Sequence, residues 1–169
     1  MSIEEILEVI IGAKMIDIGR AANMVWIIFK KNEYEYSLHL QCPFRFEIND
    51  KVFVAQGDIY YPNSSFSGDY DDFDYDIQGG NSYDEKVLLL KDKYYVQECF
   101  VEKFNDLRMH FSENVILRTF SNDTQDDEQW RFFEYDGLKS REEIFASYEN
   151  GTAKPHLVVS CNDYTYMTD

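Results

Sequence analysis

Residues 23–48 read NMVWIIFKKNEYEYSLHLQCPFRFEI. This run decides the fold class because its apolar residues recur at every second position. Val25, Ile27 and Phe29 take one face and Trp26 and Ile28 the other, which predicts a strand covered on both sides. Lys30-Lys31-Asn32-Glu33 reads as a turn. Tyr36, Leu38, Leu40 and Cys42 then share a face, opposite Ser37, His39 and Gln41. Pro43 has no N–H for a ladder and must stand at a strand end or an edge. Phe44, Phe46 and Ile48 resume the alternation, Asn49-Asp50 turns, and Val52 and Val54 form a short strand.

Working outward, Ser2 to Ile11 predicts a short N-terminal helix. Ser2 and Glu5 have the spacing of a capping box, Ile3, Ile6, Leu7, Ile10 and Ile11 make one apolar stripe, and Gly12 stops it. Downstream, Tyr94 to Phe104 is a long strand candidate. Leu107, Met109 and Phe111 alternate, Ser112-Glu113-Asn114 turns, and Val115 to Phe120 returns. Ser121 to Asp127 is a polar loop, and Glu128 to Tyr135 a strand. Ser140 and Glu143 open a second short helix near residues 140–150, and His156 to Cys161 is a last strand.

The two β blocks echo each other. Asn23, Val25, Ile27, Phe29 and Asn32 match Asn105, Leu107, Met109, Phe111 and Asn114 at one offset, and Phe44-Arg45-Phe46 matches Trp130-Arg131-Phe132. The prediction is a mainly β protein, α+β in detail. Two similar antiparallel units, residues 12–55 and 87–135, form a sandwich or an open barrel within a single domain spanning 1–169.

An acidic connection, residues 56–86, joins them. Its later part reads SFSGDYDDFDYDIQGGNSYDEK from Ser65 to Lys86. Tyr60, Tyr61, Phe66, Tyr70, Phe73, Tyr75 and Tyr83 predict an ordered segment packed onto the fold, since a solvated linker has no use for so many rings. Asp74, Asp76, Gln78, Gly79, Ser82 and Glu85 fall at calcium-loop spacing. Gln is a poor ligand at the fifth position, however, and Asn81 stands where an apolar residue is usual. The expectation is a turn at Gly79-Gly80 capped by Asp76, Asn81 and Asp84, with no metal and no cofactor.

The chain of 169 residues has 16 basic and 32 acidic side chains, a formal charge of −16. Such a field repels phosphates and anionic lipid, which argues against nucleic acid and membrane and for a basic protein as partner. The 3 cysteines, Cys42, Cys99 and Cys161, lie far apart in apolar or alternating contexts and read as buried thiols. With acids at the N-terminus and no span of membrane length, a cytoplasmic location is expected. No nucleophile elbow, phosphate loop, dinucleotide fingerprint or metalloprotease motif occurs, so no catalytic residue is assigned.

The candidate ligand-binding residues are His39, Gln41, Arg45, Asp58, Asp76, Gln78, Asn81 and Asp84. A strand can present His39 and Gln41 together, with Arg45 past the Pro43 bend, as charge-assisted donors to an anion. The acids and amides of the connection complete the set if it folds over the first block.

GRAANM (Gly19 to Met24), LHLQCPFR (Leu38 to Arg45), GDIYYP (Gly57 to Pro62), FDYDIQGGNSYDE (Phe73 to Glu85), DEQWRFFE (Asp127 to Glu134) and PHLVVS (Pro155 to Ser160) together resemble a family of small bacterial proteins of unknown function. Phe44 stands where that family's motif has Trp. The resemblance implies an intact single domain in a bacterial cytosol. It makes Arg20, Trp130, Arg131 and His156 members of recurring motifs beside the candidates above. It implies no activity. The expected function is a non-enzymatic module of immunity or antitoxin type, binding a basic protein through its acidic Tyr/Asp surface. The alternative is a small-ligand or enzymatic domain with a polar site at His39, Arg45 and Asp76.

Overall fold

The computed structural model describes residues 1–135 and 155–167. The helix expected near 140–150 lies outside them. Helix α1 spans Ile3–Leu7, with Ser2 Oγ accepting from Glu5 N and Glu5 reaching back to Ser2 N. A 3-10 turn, Glu8–Ile10, extends it, and Gly12 at φ 83° ends it in a conformation costly to any residue with a Cβ.

The strands are β1 Lys14–Ala21, β2 Met24–Lys31, β3 Tyr34–Leu40, β4 Phe44–Ile48 and β5 Lys51–Ala55, then β6 Val96–Val101, β7 Leu107–Phe111 and β8 Val115–Thr119, and last β9 Trp130–Tyr135, β10 His156–Val159 and β11 Tyr164–Met167. All pair antiparallel in two sheets, one of 6 strands in the order β1-β2-β3-β9-β10-β11 and one of 5 in the order β5-β4-β8-β7-β6. The fold is therefore mainly β. The sheets share one core and are also joined along the backbone at one corner, where Met15 N donates to Tyr94 O (2.9 Å), but they do not close into a barrel.

The order of strands follows one rule used twice. β1, β2 and β3 form a meander in the first sheet, and the chain then crosses through Gln41-Cys42-Pro43 to lay β4 and β5 in the second. β6, β7 and β8 form a meander in the second sheet, and the chain crosses back to lay β9 and β10 in the first. β9 pairs with β3 and β4 with β8, so each half completes the other's sheet. Several of the matched residues sit at matching places, although Asn105 has left-handed backbone and Asn23 does not. Val25, Ile27 and Phe29 on β2 and Leu107, Met109 and Phe111 on β7 are all buried, and the rings of Phe29 and Phe111 stack across the sandwich 6.3 Å apart. Asn32 and Asn114 both turn with φ 57°.

Two boundaries differ from expectation. β6 stops at Val101, because Phe104 (φ 65°) and Asn105 (φ 57°) adopt left-handed backbone that breaks the ladder. Residues 82–86, read above as part of the connection, form with Val87 a helix, α2 (Ser82–Val87). It packs against β5 and β1 and so bridges the two sheets.

Candidate functional site

The connection is held by polar fasteners, half-buried at Asp58 and Lys86 and buried at Asn81 and Arg20. At its start Asp58 accepts from Ala55 N (2.8 Å), Ser82 Oγ (3.2 Å) and Lys86 Nζ (2.6 Å). Burial pushes its carboxyl up, but the Lys86 and Ala55 hydrogen bonds and the Lys86 charge outweigh that and hold it below the usual range. At its end Asn81, fully buried, caps α2 by accepting from Asp84 N at 2.8 Å. Tyr83, also fully buried, packs edge-on to Phe44 and donates to Gly19 O. Arg20 on β1 closes the set. Its Nε and Nη2 meet Asp84 at 3.2 Å, and its remaining donors reach Ala22 O and Ile77 O. Asp84 also accepts from Gly79 N at 2.6 Å, which holds the Gln78-Gly79-Gly80 turn against β1.

Between these fasteners the stretch packs on itself rather than into the core. Tyr60 meets Tyr75 with ring centroids 5.1 Å apart, Tyr61 meets Tyr70 at 6.2 Å, and Phe66 meets Phe73 at 5.5 Å. These rings nonetheless face water: Tyr61 is 57% and Tyr70 53% exposed, with Ile77 at 60% beside them. Asp69, Asp71, Asp72, Asp74 and Asp76 are all exposed among them, and residues 56–85 contain no Lys or Arg. The expectation of rings packed down onto the fold is corrected to this extent. Ile59 and Tyr83 are buried in the core, and the others build a surface.

The second region is the outer face of the six-stranded sheet. Cross-strand register sets Trp26 beside His39 and His39 beside Arg131. Gln41 Nε2 donates to Glu128 Oε1 (2.7 Å), and Arg131 Nε donates to the same carboxylate (2.6 Å). The His39 ring stands edge-on to Phe133 at 4.9 Å. Burial, with the Arg131 charge adding to it and Glu128 opposing, lowers its pKa to about 4, so the imidazole is neutral near pH 7. A cavity of about 300 Å³ opens here between Trp26, Ser37, His39 and Tyr135, with Asp17 and Glu35 at its rim. A smaller one, about 180 Å³, lies on the other side of Trp26, against Gln78, Gly79, Asp84 and Lys91.

Trp26 owes this position to Gly19. A Cβ on Gly19 would lie 2.3 Å from the Trp26 ring, so only glycine lets the indole lie over β1.

The candidates thus fall into separate groups. His39 and Gln41 share the sheet face, but the arginine beside them is Arg131. Arg45 lies in the other sheet, where its Nε pairs with Glu47 (2.6 Å) and its guanidinium covers Phe120, so the His39–Gln41–Arg45 trio does not form. The cause is strand order: the chain crosses sheets between Gln41 and Arg45. Asp58, Asn81 and Asp84 are fasteners, and Asp76 is exposed, its N–H turned to Asp74 Oδ1. Gln78 lies against the smaller cavity. No hydrogen bond or ion pair among the described residues joins His39 to Asp76. Glu85, at the twelfth calcium-loop position, is hydrogen-bonded to Ser64 instead, and no group of metal-ligating side chains occurs among the described residues. Trp26, Ser37 and Arg131 were the residues the site reading missed. Arg131 is flagged by the aromatic-Arg-aromatic echo, and Ser37 by its place one step before His39 on the same face.

A scan of protein-family models finds no match to this chain, and no curated protein or solved structure matches it. Among the described residues no helix is long and apolar enough to cross a membrane.

Proposed function

We propose that the protein is a non-enzymatic binding module of immunity or antitoxin type that holds a basic protein against the surface of residues 60–77. The observation that carries this reading is the half-exposed pairing of Tyr60 with Tyr75 and Tyr61 with Tyr70, set among exposed aspartates and pinned by the half-buried Asp58–Lys86 pair and by Asp84 on the buried Arg20. Tyrosines already fixed by one another lose little entropy on binding and offer large contact area, and the aspartates steer a cationic partner to them. The formal charge of −16 adds long-range attraction.

The resemblance to small bacterial proteins agrees with this setting, as do three cysteines free of disulfides, which fit a reducing cytoplasm. The test separates bulk charge from a specific surface. Immobilised protein and its Tyr61→Ala/Tyr70→Ala variant, equal in charge, are exposed to a panel of purified basic proteins and to cell extract at about 0.15 M salt. A partner held by the wild type, released at about 1 M salt and lost by the variant supports the reading. Equal retention by both chains, or retention of nothing, refutes it.

A further inference from the structure

The cavity of about 300 Å³ lies on the sheet face, and its lining has a chemistry of its own. The Trp26 indole and the Tyr135 ring give aromatic walls, and Ile16 and Ile28 apolar ones. Ile16 and Asp17 both reach the outer face because β1 carries a bulge there: the ladder passes from Met15 opposite Phe29 to Asp17 opposite Ile28, and Ile18 returns to the core. The floor is polar. Ser37, a lining residue, is fully buried, and its Oγ has no hydrogen-bond partner. A buried hydroxyl without a partner is unfavourable, and native structures leave few of them outside functional positions. Two residues along the same strand face, the His39 imidazole lines the same space and engages Phe133 only through its ring edge. A neutral imidazole offers one donor and one acceptor.

The rim is charge-balanced. Lys91 holds Asp17 at 2.5 Å and Lys30 lies 3.5 Å from Glu35, so no net charge selects an ion. At about 300 Å³ the space is at the small end of ligand pockets and suits one or two fused rings.

We propose that this cavity binds a small uncharged heteroaromatic molecule, its ring against Trp26 and its polar edge hydrogen-bonded to Ser37 Oγ and the His39 imidazole. The class is set by the lining: a flat π-face for the indole, apolar contact for the isoleucines, and adjacent donor and acceptor atoms for a hydroxyl and an imidazole side by side.

The experiment uses the full chain and a probe set of indole, quinoline, adenine and nicotinamide, with benzene and benzoate as controls. Binding is followed by ligand-observed NMR and by Trp fluorescence. The expected result is that at least one heteroaromatic binds at millimolar concentration or below, tighter than benzene and benzoate. Ser37→Ala should weaken it at least fivefold without lowering the melting temperature, and Gly19→Ala, which drives the indole off β1, should abolish it. Failure of every probe to bind at that level overturns the proposal. So does binding that Ser37→Ala leaves unchanged, which would put the ligand elsewhere or show that the hydroxyl is idle. Because Ser37→Ala removes one oxygen from a site with no partner, it keeps the test independent of whether Gly19→Ala folds well.

Discussion

Removing one member of the Arg20–Asp84 pair tests how the Tyr/Asp surface is held. The Arg20 side chain is 1% exposed and that of Asp84 12%. Asp84→Leu leaves a guanidinium in the interior with only the carbonyls of Ala22 and Ile77, and an arginine cannot shed its charge. A buried charge stripped of its counter-ion costs about 3–5 kcal/mol. Arg20→Met leaves the less buried partner, and Asp84 keeps the Gly79 N–H, so the cost is nearer 2–3 kcal/mol. The double variant has no orphan charge and should lie below the sum of the singles by about 1–3 kcal/mol. Urea unfolding gives the energies. Amide exchange at Gly79, whose N–H is on Asp84, shows whether the turn opens in the native state. Single variants that each cost under about 1 kcal/mol, or costs that simply add, would refute the role given to this pair.

His39 should make the fold acid-sensitive. Its pKa is about 4 in the fold against 6.5 ordinarily, so between those values the unfolded chain binds a proton that the folded chain does not, and stability falls as pH falls through that window. Partial solvent access to the ring limits the effect to about 1–3 kcal/mol. Thermal unfolding of His39→Gln should therefore gain on the wild type between pH 7 and pH 4.5, whereas parallel curves would contradict the assignment. Ser37→Ala should be neutral or stabilising by up to about 1 kcal/mol in chemical denaturation, and a loss of more than that would mean the hydroxyl is satisfied in the unliganded fold. Burial pushes the Cys42 thiol to about 11, so it should not react with a disulfide reagent near pH 8 until the chain is unfolded. Cys99, expected above to be buried, is half-buried on the edge strand β6 and should label only slowly, because burial pushes its thiol to about 12. Rapid labelling of either in the native protein would show that the strands open readily.

Local chemistry made the framework legible. The alternation in β2 and β3, the Ser2/Glu5 box and the Gly12 stop each depend on residues a few positions apart, and each appears where the pattern puts it. In the echo between Asn23–Asn32 and Asn105–Asn114, the three apolar pairs are buried in β2 and β7 and Asn32 and Asn114 turn alike, whereas Asn23 and Asn105 differ. α2 was hidden because it is short and acidic and follows a glycine pair, although Asn81 with Asp84 at the third helical position is a cap signal. The candidate site was less legible, because its partners are set by strand order. Arg20 and Asp84 are 64 positions apart, and His39 meets Arg131 only because β9 returns to the first sheet. Arg45 looked adjacent to His39 because the crossover at Gln41-Cys42-Pro43 leaves no mark in the alternation. The cavity beside Trp26 depends on a glycine one strand away, and no periodicity records that contact.

The most direct test of the central claim is a titration of the basic protein retained by the wild type against both chains at about 0.15 M salt. Tyr61→Ala/Tyr70→Ala, with charge unchanged, should bind at least about 30-fold more weakly, as loss of two central tyrosines should cause. Affinities equal within error would contradict it, because the attraction would then come from net charge alone and not from the aromatic surface.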